Sequence, residues 1–513
     1  MSEREQPREA VYDVVVIGSG IGGLSAAAVL AKVGKKVLVV EQGDGPGGYA
    51  HAFRRGPYVF DPAIHLTAEG RDGALPDVLF RHLGVRDRVT MVELPWFYGI
   101  CFPGLEAKLP LKHDAYVSAH VELFPHEEQG LRTFFALCSQ VHREAHQMPP
   151  QVPLAKLDEA AARFPTLFHY QKLTVAEVLD EFLTDPRAKA VCSAWWPYLG
   201  LPPSRLAFLT AAQFLNVTLE GAYYFMGGFQ TLPDAFVTAL ERNDGELLLR
   251  RRVDRILLDD EGRAAGVALD DGREVRAPMV ISNADATATF ERMVGAENLP
   301  APFMKRLLKL ELSLSAVVMF TATDRDVSEF GQAHETFVSL SWDHDETYRD
   351  ILAGRAGGMW VTMPTALDPS LAPAGEHLVI VSSLAPYELD EPWDDAKERY
   401  EQQLVGAVDR ILPGLGPELN VVELATPPTL ERFTLNSRGA IYGWANTPRQ
   451  IASRRPSHVT PIPGLYLSGH WTQPGANCLR VLLSGVHTAQ IALGIAGEPV
   501  PAFETDDSLA PAQ

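Results

Sequence analysis

Three glycines and one glutamate carry the clearest chemistry in this chain. Gly18, Gly20 and Gly23 lie in the run Gly18-Ser19-Gly20-Ile21-Gly22-Gly23, and Glu41 follows about 20 residues later. Residues of these types at this spacing hold a dinucleotide. Gly18 permits a sharp turn from strand to helix, Gly20 lets a pyrophosphate approach bare backbone, and Gly23 lets the helix pack close to the strand. The phosphates sit on the positive end of the helix, and the Glu41 carboxylate accepts hydrogen bonds from an adenosine ribose. A second cluster, Gly43-Asp44-Gly45-Pro46-Gly47-Gly48, comes directly afterwards, so backbone again passes close to a ligand.

The elements that must position these residues are legible around them. Val14–Ile17 is a β-branched apolar run suited to a strand buried on both faces. Leu24–Val33 is an Ala-rich helix with Gly34 placed to end it, and Val37–Val40 is a second buried strand. Further along, Leu232–Arg242 reads as a helix. Leu247–Leu249, Val253–Leu258, Gly266–Leu269, Arg273–Arg276 and Pro278–Ile281 read as short strands, with Asp/Gly turns between several of them. Residues 71 to 220 include helical stretches, with a Pro-rich break at Met148–Leu154. Aromatic clusters stand at Trp195-Trp196-Pro197-Tyr198, Phe208–Val217 and Tyr223-Tyr224-Phe225-Met226. They are either core packing or the wall of a long apolar pocket. Strands are expected at Leu312–Phe320, Met359–Thr362 and Leu378–Leu384, and a helix at Ala396–Leu412. The last block runs strand, Gly469 turn, loop Trp471–Arg480 and helix Val481–Gly494, a second place where helix amides can meet a ligand. No second GxGxxG appears, so one dinucleotide is expected.

Composition narrows the function. The chain has 513 residues, 46% hydrophobic and 21% charged, which is ordinary globular composition with room for more than one domain. A formal charge of −20 argues against nucleic-acid binding and against retention on anionic lipid by charge. Cys101, Cys138, Cys192 and Cys478 form no CxxC pair, so neither a disulfide framework nor a zinc site is expected, and a reducing, cytoplasmic setting fits. Met1–Ala10 is polar and reads as neither a signal nor a transit peptide. No apolar run reaches the ~18 residues of a membrane span, and the tail from Glu498 reads as frayed. A soluble protein is expected, at most peripherally attached to a membrane through an apolar patch.

Together these blocks make the chain resemble the FAD-dependent phytoene desaturase superfamily, which includes carotenoid isomerases and retinol saturases. Residues 13–41, 46–65, 227–285 and 439–494 carry the likeness, in the family's order. The resemblance implies an α/β fold in two domains. A Rossmann-like, glutathione-reductase-like FAD-binding domain would be assembled from 1–70, 221–290 and 436–500. A mixed α+β substrate domain would be inserted as 71–220 and 291–435, with 501–513 as a tail. It also implies FAD, with Gly18, Gly20 and Gly23 at the pyrophosphate, Glu41 at the ribose and Gly48 near the cofactor. The Val253 backbone would meet the adenine, and Gly469 and the turn beyond it, as far as Val481, would approach the phosphate and ribityl chain. Phe60-Asp61-Pro62-Ala63-Ile64-His65 and Gly439-Ala440-Ile441-Tyr442-Gly443 look more like the retinol-saturase branch. One departure stands out: Ala476-Asn477-Cys478-Leu479-Arg480 occupies a stretch where the family keeps glycines beside the flavin.

The substrate implied by the resemblance is a long apolar molecule with conjugated or allylic double bonds, which is desaturated, saturated or isomerised against the flavin. His65 reads as a base or orienting donor at the reaction site, or as a core histidine bonded to backbone. Tyr442 is a further candidate donor. Arg480 needs a partner if buried: the flavin edge, a substrate carboxylate or a protein carboxylate. His470 reads as structural and Cys478 as inert. Two other readings stay open, amine oxidation on the same architecture and a non-enzymatic prenyl-binding escort. The oligomeric state is not legible in the sequence.

Overall fold

The computed structural model of the protein describes residues 11–148, 156–327 and 333–503. Met1–Ala10, the Pro-rich stretch after Met148 and the end of the tail fall outside them. The chain opens with β1 (Val14–Ile17), α1 (Ile21–Lys32) and β2 (Val37–Val40). β3 (Tyr98–Phe102) and β4 (Leu105–Leu109) form a hairpin. The helices α2 (Glu128–Gln147), α3 (Phe208–Glu220) and α4 (Thr231–Arg242) lead to β5 (Glu246–Leu248). An antiparallel meander of β6 (Val253–Leu258), β7 (Ala264–Leu269) and β8 (Glu274–Arg276) returns to the core as β9 (Met279–Ser282). Then come β10 (Ser315–Thr323), β11 (Glu335–Val338), β12 (Gly357–Thr362), β13 (His377–Ala385), α5 (Trp393–Ile411) and β14 (Asn420–Ala425). β15 (Leu465–Leu467) and α6 (Cys478–Ile495) are the last of these elements.

The protein is α/β, and two sheets organise it. The first is parallel, in the order β5-β2-β1-β9-β15. Its strands are short and almost wholly buried, which is why they are continuous apolar runs rather than alternating ones. α1 is buried from Ile21 to Ala31, and its alanines and glycines let neighbouring helices come close. A Cβ on Gly485 of α6 would lie 1.9 Å from Ser25 Oγ of α1, so α6 packs on α1 almost backbone to backbone.

That packing bears on the membrane question. Among the described residues α6 alone is long and apolar enough to cross a bilayer by length and composition. It is not an unbroken apolar run, since Arg480, Ser484 and His487 interrupt the stretch. More than half of it is buried inside the protein.

The second sheet has seven strands in the order β14-β10-β13-β12-β11-β3-β4. It is antiparallel except where β11 meets β3. Its strands alternate faces. Val317, Met319, Val379 and Val381 pack with Ala396, Tyr400 and Leu404 of α5. Ala316, Val318, Phe337 and Trp360 belong to the main core on the other side.

Candidate functional site

A cavity of about 520 Å³ lies between the C-terminal ends of β1 and β2 and the inner face of the seven-stranded sheet. Its first wall is mostly backbone, contributed by Gly18, Gly20, Gly47 and Gly48, with Glu41 and Val253 beside them. The Asn283 side chain, just beyond β9, fills the inside of the glycine turn. A Cβ on Gly20 would fall 2.7 Å from Asn283 Nδ2, and one on Gly22 2.8 Å from Asn283 Oδ1. The sequence displayed Asn283 within Ser282-Asn283-Ala284-Asp285 but gave it no role.

Gly23 does not line the cavity. Its Cβ would meet Gly18 O at 2.2 Å, so it serves the close helix–strand packing expected of it. Gly469 is also set back from the cavity. It packs on Asn283 and Gly22, its N–H donates to Ser484 Oγ at 3.0 Å, and its neighbour His470 reaches the cavity instead. Glu41 is pinned at the end of β2: Oε2 accepts from Ser19 N and Oγ at 2.8 and 2.7 Å, and Oε1 from Gly43 N at 2.7 Å. Bare backbone at a helix N-terminus beside a fixed carboxylate suits an adenine dinucleotide, so the residues present fit FAD.

The second wall holds His65, where two distant stretches meet. Asp61 is buried and ties its own loop to the Gly227-Gly228-Phe229 turn. It accepts from Tyr224 Oη at 2.6 Å and from Phe229 N at 2.8 Å. Four residues on, His65 reaches the seven-stranded sheet. Its Nδ1 lies 3.1 Å from Thr362 Oγ1 and 3.4 Å from Glu335 Oε1, and its Nε2 lies 3.3 Å from the Asp61 carbonyl. Thr362 donates its only hydroxyl proton to Glu335 Oε1 at 3.0 Å, so it accepts from His65 Nδ1–H. A carbonyl only accepts, so Nε2 carries a proton as well.

Acceptors at both ring nitrogens favour the imidazolium form of His65. Burial pulls its pKa down, but the hydrogen bond to Glu335 and the charges of Glu335 and Asp61 hold it above the usual range. His334, kept neutral because burial pushes it down to about 4, donates from Nε2 to His65 O at 3.0 Å and fixes the backbone. Glu335 was not legible in the sequence. It is fully buried, faces Thr362 across β11 and β12, and its Oε2 has no partner among the described residues. His65 is bonded to backbone and also lines the cavity.

The remaining candidates separate. Tyr442 lines the cavity, and its hydroxyl donates to Pro197 O at 3.1 Å. Burial, then the charge of Glu335, raises its pKa. The departure at residues 476–480 is resolved by helix phase. Asn477 accepts the Arg480 N–H at 2.8 Å and caps α6, so the helix begins at Cys478 rather than Val481. Cys478 and Val481, three residues apart on one face, line the cavity with Ala476 and Asn477.

Arg480 does not line it. The arginine lies in the first turn of α6, not in a loop, and its Nη2 donates to Gln213 Oε1 of α3 at 2.9 Å. No ion pair joins it to a carboxylate among the described residues, and burial pulls it down to about 10. Cys478 is buried, its thiol pushed up to about 11, and His470 is pushed down to about 3 by burial and then by Arg455. Both are unreactive in the charged sense.

Residues 21–493 match the family described as flavin containing amine oxidoreductase. The chain is 29% identical over 508 residues to an all-trans-retinol 13,14-reductase of Danio rerio, covering 89% of this chain and 82% of that protein. It is 29% identical to the prolycopene isomerase 1 of an Oncidium hybrid cultivar, covering 94% and 83%. It is also 29% identical to a neurosporene-forming phytoene desaturase of Rhodobacter capsulatus, covering 94% of each. Among solved structures, cyclohexylamine oxidase of Brevibacterium oxydans shares the fold with a TM-score of 0.64 at 18% identity, over 94% of this chain and 98% of that one.

Proposed function

This chain belongs to the flavin-containing amine oxidoreductase family, and from that premise we propose that it is an FAD-dependent oxidoreductase acting on carbon–carbon double bonds of a hydrophobic polyene. One observation carries the reading. The cavity that offers a dinucleotide cradle also has an apolar wall of Tyr198, Phe214, Ala316, Val318, Trp360 and Ile441, with His65 as the charged group set against it. Such a wall holds a substrate by shape and excludes water. Amine oxidation fits less well, because Glu335, the buried carboxylate on the seven-stranded sheet, is committed to His65.

In this reading residues 1–70, 221–290 and 436–500 form the Rossmann-like domain around the parallel sheet, and the seven-stranded sheet belongs to the inserted substrate domain. FAD, when bound, supplies or accepts the hydride. His65 handles the proton. As an imidazolium with Glu335 behind it, it is prepared to give a proton rather than to take one. That favours saturation, or isomerisation assisted by protonation, over desaturation. The Asp61 carbonyl only accepts from Nε2, at 3.3 Å, and this uncharged contact is the one that yields when the proton is delivered. Tyr442 and Arg480 are placed as supports, Tyr442 at the wall and Arg480 behind α6.

The test is product mass spectrometry after incubating the dithionite-reduced holoenzyme with a polyene in D₂O. Solvent deuterium at former double-bond carbons, two atoms for saturation and one for isomerisation, lost in His65→Gln, is expected. Turnover of amines with none of polyenes would overturn the reading.

A further inference from the structure

The apolar wall is not wholly apolar. Trp360 on β12 and Ser382 on β13 are directly opposite each other across the sheet, and Val318 pairs with Ser382 on its other side. Trp360 is also opposite Phe337 of β11. Tyr198 packs over this row, with its ring 4.8 Å from Phe337 and 5.8 Å from Trp360, centroid to centroid. Tyr198, Trp360 and Ser382 all line the cavity.

Two of them bring hydrogen-bond donors that the protein leaves unmatched. The Tyr198 hydroxyl and Trp360 Nε1 are buried with no partner among the described residues. Ser382, 1% exposed, sets a hydroxyl beside them. An unpaired buried polar group is costly, and two on one lining are not explained by packing, since Phe would fill the same space. Trp360 can only donate, so whatever meets it must accept.

We propose, on the reading of function given above, that Tyr198, Trp360 and Ser382 form an oxygen-binding subsite and that the natural substrate is a polyene bearing a neutral hydroxyl or carbonyl rather than a pure hydrocarbon or an acid. The neutrality follows from the surroundings. The arginines that line the cavity are Arg251, Arg252 and Arg292. The first two directly precede Val253, and Arg292 follows Asn283, so they belong to the wall of the glycine cradle. Among the described residues no arginine or lysine lines the subsite, and His65 is already paired with Glu335, so an ionised carboxylate there would be buried without a counter-charge of its own. The register also sets the distance. Trp360 is two residues along β12 from Thr362, on the same face, which places the subsite about 7 Å along the strand from the His65 network. The oxygen would therefore sit a few bonds from the reacting double bond.

Matched probes test this: all-trans-retinol, all-trans-retinal, all-trans-retinoic acid and axerophthene, the hydrocarbon with the same ring and polyene but no oxygen. Dissociation constants are read from perturbation of the bound flavin spectrum, for the holoenzyme and for Tyr198→Phe, Trp360→Phe and Ser382→Ala. Retinol and retinal are expected to bind more tightly than both other probes. Each variant is expected to lose about three- to tenfold for the oxygenated pair only, with axerophthene unchanged or tighter. Flavin content and melting temperature of each variant show whether it has folded, and the wild-type ranking of the four probes stands independently of the variants. Equal binding of axerophthene and retinol, tightest binding of the acid, or variants that weaken all four probes alike would overturn the subsite while leaving polyene binding intact. Failure of all four to bind would overturn the polyene reading itself, and the subsite with it.

Discussion

At the ends of the parallel strands the cavity wall is backbone, whereas on the seven-stranded sheet it is side chains. The first wall works by what is missing. Gly20 and Gly22 stand where any Cβ would strike Asn283 within 3 Å, so shape is fixed by the absence of atoms and no side chain substitutes for another. The second wall works by pairing. His65, Thr362 and Glu335 are held at 3.0 to 3.4 Å from one another in a buried site, where a charge is stable only with its partner. The difference predicts two kinds of failure. Damage to the first wall removes the cofactor and leaves the second wall folded. Damage to the second leaves the cofactor in place and changes stability, pH response or selectivity.

The largest effect tests the first wall. Gly20→Val should give a folded but colourless protein, because its side chain displaces Asn283 and closes the turn. Absorbance at the flavin band relative to protein measures it. Retention of a full complement of FAD would break the comparison.

The next effect tests the second wall. His65→Leu strands the buried Glu335 carboxylate and should cost about 3–5 kcal/mol in denaturant unfolding. Removing both partners as His65→Leu with Glu335→Leu should recover most of that loss. Additive losses would mean the two do not act as a pair.

A smaller, more diagnostic effect lies in pH. The folded His65 has its pKa raised above the unfolded value of about 6.5. Its stabilising contribution is therefore fully present below about pH 6.5 and fades as pH rises through the higher folded value. Proton donation should follow the same limb, with activity falling on the alkaline side. Glu335→Gln removes the charge that holds the pKa up and should move that limb to lower pH while FAD content stays constant. An unmoved limb would detach Glu335 from the chemistry.

Legibility in the sequence followed the same divide. Val14–Ile17, Val37–Val40 and Val253–Leu258 were all fixed by local pattern, and the structure reproduces their bounds. The glycine turn was legible because its chemistry lies within one stretch of chain. Glu335 was not, because nothing local marks a glutamate that acquires its meaning from a histidine 270 positions earlier. Likewise the donors Tyr198, Trp360 and Ser382 come from three segments and become a group only through strand register. Arg480 sits in the helix rather than in the loop for a local reason: the apolar run begins at Val481, whereas the Asn477 cap starts α6 three residues sooner.

The smallest effect follows from that correction. Arg480→Met should lose the Gln213 hydrogen bond and little else, about 1 kcal/mol or less. The flavin reduction potential and the preference among polyenes should be unchanged. A shifted potential would bring Arg480 to the cofactor and blur the boundary between the two walls.

The most direct measurement of the central claim follows the flavin and polyene absorption bands together, without oxygen, after mixing dithionite-reduced holoenzyme with all-trans-retinol. The account predicts that the oxidised flavin band returns as the polyene band is lost, one for one, and that both changes slow as pH rises through the folded His65 value. A flavin band that stays bleached and a polyene band that stays constant, at every pH and also with the oxidised enzyme, would contradict it.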